Sequence, residues 1–130
     1  MKVMALDYGS ARTGVAVSDP TGTLARPLSI VEKAGTDAGL AELVRLIDAE
    51  AAERIVVGLP LTLRGERGEQ AAETERFVES LRAAVDVPVE LFDERFTTDL
   101  AQQTAGAAPE DAVAAAHLLS GWLEWSAARS

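Results

Sequence analysis

Short apolar runs separated by tight turns occupy the first quarter of the chain. Residues 2–6 and 13–18 form two such runs, and strand-like residues resume at 24 and again at 28–31. Residues 19–22 read Asp-Pro-Thr-Gly, with proline second and glycine fourth, which is typical of a type I turn. Three consecutive strands joined by tight turns predict an antiparallel meander.

The rest of the chain alternates between a helical period and short apolar runs. Apolar residues at 40, 43, 44, 47 and 51 share one helical face and predict a helix over 37–52. The pattern further predicts a strand at 54–58, a helix at 69–84, a strand at 87–92, a short helix capped by Thr97 or Thr98, and a last helix from Pro109 to about residue 127. In the 69–84 helix the expected packing positions are Ala72, Phe77, Leu81 and Ala84.

This order of elements predicts an α/β fold. The meander followed by alternating helices and strands indicates a five-stranded mixed sheet with the first strand at its centre, two parallel strands added to the meander, and helices on both faces. A length of 130 residues favours one domain spanning 1–130.

Composition narrows the possible chemistry. The chain has no cysteine, which excludes disulfides, thiolate metal sites and cysteine nucleophiles. It shows neither a signal-peptide core nor an apolar run long enough to cross a bilayer, so we expect a cytoplasmic protein with no membrane partner. The net charge of −9 argues against non-specific binding to nucleic acid or anionic lipid.

Carboxylates mark the ends of the first and last predicted strands and the start of the last helix. Asp7 follows the first strand, Asp93 and Glu94 follow the last one, and Asp111 opens the helix. Parallel strands end at one edge of a sheet, and a helix packed across the sheet can bring Asp111 to the same place. Converging carboxylates repel one another unless a cation lies between them, and their hard oxygens suit Mg²⁺ or Mn²⁺.

Two such ions, roughly 4 Å apart, can activate a water and stabilise the leaving oxygen of a phosphodiester. Each acid also has a structural interpretation that the pattern leaves open. Asp111 can serve the helix dipole, Asp7 can belong to an ordinary turn, and residues 93–95 can form a local ion pair of small value.

Residues 7–19 resemble the opening signature of the YqgF/RuvX family, whose members have a ribonuclease H-like fold. Four further blocks agree with that family in the same order, at residues 25–28, 55–69, 93–98 and 111–123. The resemblance covers nearly the whole chain. It implies metal-binding carboxylates at Asp7, Glu94 and Asp111, and substrate-facing roles for Arg12, for the 58–68 loop with Arg64 and Arg67, and for Arg95 with Thr97.

The chain departs from the family pattern at one place. Family members usually carry a longer segment rich in lysine and arginine before the last helix, whereas residues 103–109 are short and uncharged here. This difference puts the affinity for substrate and its identity in question more than the fold. Related resolvases often use a fourth acid on the last helix, but Ala114 stands one turn after Asp111, which indicates a three-acid site.

The resemblance implies a metal-dependent nuclease acting on structured nucleic acid, with precursor 16S ribosomal RNA favoured over branched DNA. The alternatives are a Holliday-junction resolvase, a nucleic-acid-binding module with weak or no catalysis, and an ATPase-like domain. The last is disfavoured because such ATPases usually need two domains, and because the chain has no Walker-A loop. A homodimer in which a second subunit completes the basic surface also remains open.

Overall fold

The computed structural model of the protein describes residues 1–60, 68–93 and 110–129. These residues form five strands and three helices. In chain order they are β1 (Val3–Asp7), β2 (Arg12–Ser18), β3 (Ala25–Glu32), α1 (Asp37–Glu50), β4 (Arg54–Leu59), α2 (Glu69–Ala84), β5 (Val89–Asp93) and α3 (Glu110–Ala128). The predicted short helix after residue 97 and the 103–109 segment lie outside the described residues.

The five strands form one mixed sheet in the order β3-β2-β1-β4-β5. β1 pairs antiparallel with β2, and β2 pairs antiparallel with β3, so the predicted meander is confirmed. β4 and β5 add parallel strands on the other side of β1. The first strand is therefore central, as predicted, and the carboxyl ends of β1, β4 and β5 meet at one edge.

Apolar side chains point alternately to the two faces of the sheet along its strands, so a hydrophobic core forms on each face. Met4 and Leu6 pack with the apolar faces of α1 and α2, whereas Val3 and Ala5 pack with α3. Successive strand residues point to opposite faces, so one strand serves both cores. Among the described residues, no helix combines the length and apolarity that crossing a bilayer requires.

The turn between β2 and β3 explains how the meander closes. The amide of Gly22 donates to the carbonyl of Asp19 at 3.0 Å, as the predicted type I turn requires. The Asp19 carboxylate also accepts from the amides of Thr23 and Leu24 at 2.7 and 2.9 Å. Together with a hydrogen bond from Thr21, these contacts lower the pKa of Asp19 well below its usual range.

Two details of the helices differ from expectation. α1 ends at Glu50 because Ala51 adopts a left-handed backbone conformation with φ 54° and caps the helix. On α2 the buried residues are Ala71, Thr74, Phe77, Val78 and Leu81. The expectation for Phe77 and Leu81 is confirmed, but that for Ala72 and Ala84 is wrong, since Ala72 is half-buried and Ala84 is exposed.

Candidate active site

Asp7 is the last residue of the central strand, at the edge where the parallel strands end. It is half-buried. Val3 and Ala5 of the same strand pack toward α3, so alternation places Asp7 on that face of the sheet. The position combines a rigid backbone with access from solvent.

A close approach of two backbones brings Asp111 to the same corner of the sheet. Asp7 pairs across the β1–β2 ladder with Gly14, and the first turn of α3 lies directly on Gly14. A Cβ atom on Gly14 would lie 1.9 Å from the carbonyl oxygen of Asp111, so only glycine admits this contact. Glycine inside a strand is the sequence signal for such an approach. The role of Gly14 is the feature that the sequence argument missed.

Arg12 lies beside the same corner. Its Nε atom is 3.2 Å from Oδ2 of Asp111, with the two side chains 63% and 38% exposed. Ion pairs this exposed contribute at most about 1 kcal/mol, so the guanidinium can exchange Asp111 for another anion at little cost. The expected proximity of Arg12 to the acidic site is therefore present, and its partner in this structure is a carboxylate.

The two acids at the end of β5 differ in how far the structure describes them. Leu91 packs with α1 and α2, and Phe92 packs with α3, so alternation places Asp93 on the face opposite Asp7. This weighs against Asp93 as a third ligand beside Asp7 and Asp111. The other predicted site residues, Glu94, Arg64, Arg67, Arg95 and Thr97, lie outside the described residues.

The donor set at this corner fits a divalent cation. Asp7 and Asp111 offer carboxylate oxygens, the hard ligands that Mg²⁺ and Mn²⁺ prefer. In the described part of the chain, no three histidine, cysteine, aspartate or glutamate side chains form a cluster that could hold a metal. Asp7 and Asp111 are the two of the three expected ligands that lie within the described residues.

A cleft of about 470 Å³ adjoins Asp7 on its other side. It lies between the turn after β1, at residues 7–10, and the first two turns of α2, at residues 69–76. Tyr8 and Glu73 line it, and neither was singled out from the sequence. The only signal for them is their placement, one directly after Asp7 and one on the polar side of an amphipathic helix.

Sequence comparison finds known proteins that this chain resembles. A family model described as "RuvX: Holliday junction resolvase" matches residues 1–125. A protein of Chloroflexus aurantiacus named "Putative pre-16S rRNA nuclease" is 46% identical over 101 residues, which are 78% of this chain and 66% of that protein. The match thus spans just under two thirds of that relative. A protein of the same name from Syntrophomonas wolfei is 35% identical over 133 residues, covering 95% of this chain and 94% of that one.

Solved structures share the fold. RuvC of Thermus thermophilus, in complex with a Holliday junction substrate, superposes with a TM-score of 0.62 at 17% identity, over 97% of this chain and 96% of that one. The Holliday junction resolvase of fowlpox virus gives a TM-score of 0.57 at 10% identity, over 96% and 99%. At these identities the likeness concerns the fold alone, which is the ribonuclease H-like fold expected from the sequence.

Proposed function

Because the chain belongs to the RuvX family, we propose that it is a divalent-metal-dependent nuclease that hydrolyses phosphodiester bonds in structured nucleic acid. The observation that carries the proposal is the meeting of Asp7 and Asp111 at Gly14. Two half-buried aspartates from opposite ends of the chain are both neighbours of this glycine. A purely structural role would not require that convergence.

Precursor 16S ribosomal RNA is the substrate that we favour. The relatives from Chloroflexus aurantiacus and Syntrophomonas wolfei carry that substrate in their names. Maturation of ribosomal RNA also agrees with the expectation of a cytoplasmic enzyme. A Holliday junction is the second candidate, because the family description names it and because the fold matches RuvC bound to such a junction.

The proposed metal ligands are Asp7, Glu94 and Asp111. Divalent ions at such a site supply Lewis-acid activation of water and charge stabilisation at the phosphate. Asp93 is excluded from this set in the proposal, since alternation directs it to the opposite face of the sheet. Glu94 is the next acid in the sequence.

The chain itself contributes binding and orientation. The central strand fixes Asp7, and the contact with Gly14 fixes the backbone of Asp111. Arg12 offers a planar fork of donors that matches a phosphate, and its exposed pairing with Asp111 leaves it able to turn to the substrate. We assign the remaining phosphate contacts to Arg64, Arg67, Arg95 and Thr97 on the family pattern.

A cleavage assay tests the proposal. A labelled structured RNA carrying the ends of precursor 16S rRNA, and a four-way DNA junction, are each incubated with Mg²⁺, Mn²⁺ or EDTA. We expect cleavage of the RNA with either metal and none with EDTA. Cleavage of the junction alone would favour the second candidate, and cleavage in EDTA would refute the metal mechanism.

Two variants make the assay specific to the site. Asp7→Asn keeps the size of the side chain and removes its charge, so metal-dependent cleavage should be abolished. Asp48→Asn makes the same change on the exposed face of α1 and should cleave as the parent does. Retained cleavage by purified Asp7→Asn would contradict the assignment of Asp7.

A further inference from the structure

The cleft beside Asp7 is large enough to hold a nucleoside. Its volume of about 470 Å³ lies within the range of small-molecule sites, about 300–1,000 Å³. Asp7 lines this cleft and is also a proposed metal ligand, so the two sites share one residue. A group bound in the cleft would lie next to the phosphodiester that the proposed enzyme cuts.

The charge of the described lining residues decides against a phosphate. Asp7, Glu69 and Glu73 bring three carboxylates, and Arg76 brings one guanidinium. Even with Asp7 neutralised by a cation, the two glutamates outweigh Arg76. Like charges repel, so these described lining residues favour a neutral group that presents N–H donors to carboxylate oxygens.

Tyr8 and Glu73 both line the cleft, and the Tyr8 ring is held in place by its packing. The Tyr8 ring stacks on Phe77 with centroids 4.4 Å apart and planes inclined by 21°. Burial, together with the negative charge of the Glu73 carboxylate, raises the pKa of Tyr8. Gly35 backs the hydroxyl so closely that a Cβ there would lie 3.0 Å from it.

Glu73 can accept hydrogen bonds from a ligand, because a carboxylate offers about four lone-pair sites. Arg76 lies one helical turn further along α2 and lines the same cleft, so a donor stands beside this acceptor. An acceptor next to a donor complements the hydrogen-bonding edge of a nucleobase. Guanine fits best, because its N1–H and N2–H groups lie side by side, next to the carbonyl oxygen O6.

We propose that this cleft is a subsite for an unpaired nucleobase, with guanine preferred, in which Glu73 accepts from the base and Arg76 donates to it. The proposal rests on the proposed nuclease function for its setting, since the base would belong to the strand being cut. It implies that the substrate carries an unpaired nucleotide beside the scissile bond.

Nucleoside binding to the intact chain tests the proposal without metal or cleavage. Isotope-labelled protein in EDTA is titrated with each of the four ribonucleosides and with ribose 5-phosphate, and amide shifts are followed by NMR. We expect guanosine to shift residues 7–10 and 69–76 at millimolar concentration, with a lower Kd than the other nucleosides. Ribose 5-phosphate should leave those residues unchanged.

Variants inside and outside the cleft show whether guanosine binding depends on the proposed contacts to the base. Glu73→Gln keeps the size of the side chain but replaces a carboxylate oxygen with a donor, so the Kd for guanosine should rise about tenfold. Arg76→Ala, at an exposed position that leaves Tyr8 and Glu73 in place, should also weaken guanosine binding. Glu79→Gln changes an exposed glutamate of the same helix outside the cleft and should bind as the parent does.

Three outcomes would overturn the subsite: no guanosine shifts within residues 7–10 and 69–76, shifts of those residues by ribose 5-phosphate, or an unchanged Kd in Glu73→Gln. The proposed function fails separately, in the cleavage assay. If the protein binds guanosine but cuts neither RNA nor DNA, the nucleobase subsite is supported and the proposed nuclease function is refuted. Cleavage without guanosine binding would reject the cleft alone.

Discussion

Gly14→Ala is the sharpest test of how the fold builds the site. A methyl group on Gly14 would lie 1.9 Å from the carbonyl oxygen of Asp111 and 3.1 Å from the amide nitrogen of Ala112. Both neighbours are backbone atoms of the first turn of α3, so no side-chain rotation relieves the overlap. Ordinary contact begins at about 3.4 Å, and the turn must therefore retreat by about 1.5 Å.

That displacement has a cost in stability and a larger one in activity. Overpacking of this kind costs about 1–3 kcal/mol, which lowers the Tm of a chain of this size by about 3–12 °C. A misplacement of about 1 Å at a catalytic group costs on the order of 100-fold in rate. We therefore expect a folded protein whose metal-dependent cleavage falls by about 100-fold or more.

Thermal unfolding in EDTA and cleavage in Mn²⁺ measure the two effects. Gly68→Ala is the control for stability, because a Cβ there meets no atom of the described residues within 4 Å. Its free energy of unfolding should change by less than about 1 kcal/mol. A Gly14→Ala protein with the parent Tm and the parent rate would show that α3 does not need this approach, and the placement of Asp111 would be wrong.

Three further predictions concern charge. Asp7→Asn removes one of the clustered negative charges, so calorimetry in EDTA should show an unchanged or slightly higher Tm, and a large fall would contradict the clustering. Tyr8 is the one tyrosine of the chain, so its ultraviolet absorbance reports its ionisation directly. Burial and Glu73 raise its pKa on folding, and the stability that this shift contributes is present at neutral pH and lost as the pH rises through the folded-state value. Glu73→Gln should lower that pKa toward its ordinary value, and an unchanged pKa would show that the Glu73 charge does not act on Tyr8. For duplex substrates, a plot of the logarithm of the binding constant against the logarithm of the salt concentration should have a slope of about −4 or shallower. Each phosphate that is neutralised contributes about −0.9, and the proposed site has four arginines. Arg64→Ala with Arg67→Ala should make the slope shallower by about 2, and an unchanged slope would show that Arg64 and Arg67 do not contact phosphates.

Local sequence patterns predicted most of the fold. The turn at residues 19–22 and the alternation in β1 and β2 depend on neighbouring residues, so the meander was predictable. The bounds of α2 also agree with expectation at 69–84. Its buried face does not, because alanine is weakly apolar, and docking of the helix on β4 and β5 decided between Ala71 and Ala72.

The site depends on contacts between distant parts of the chain. Sequence placed Asp7 after a strand and Asp111 at a helix start, and the family resemblance assigned both to one site. Only the tertiary structure shows how they meet, through a helix that packs Leu118, Leu119 and Trp122 across the sheet and rests on Gly14. The cleft formed by Tyr8 and Glu73 likewise exists only after α2 has docked beside β1. Local preferences specify each element, whereas burial of apolar surface between elements sets their relative positions, and those positions create the chemistry.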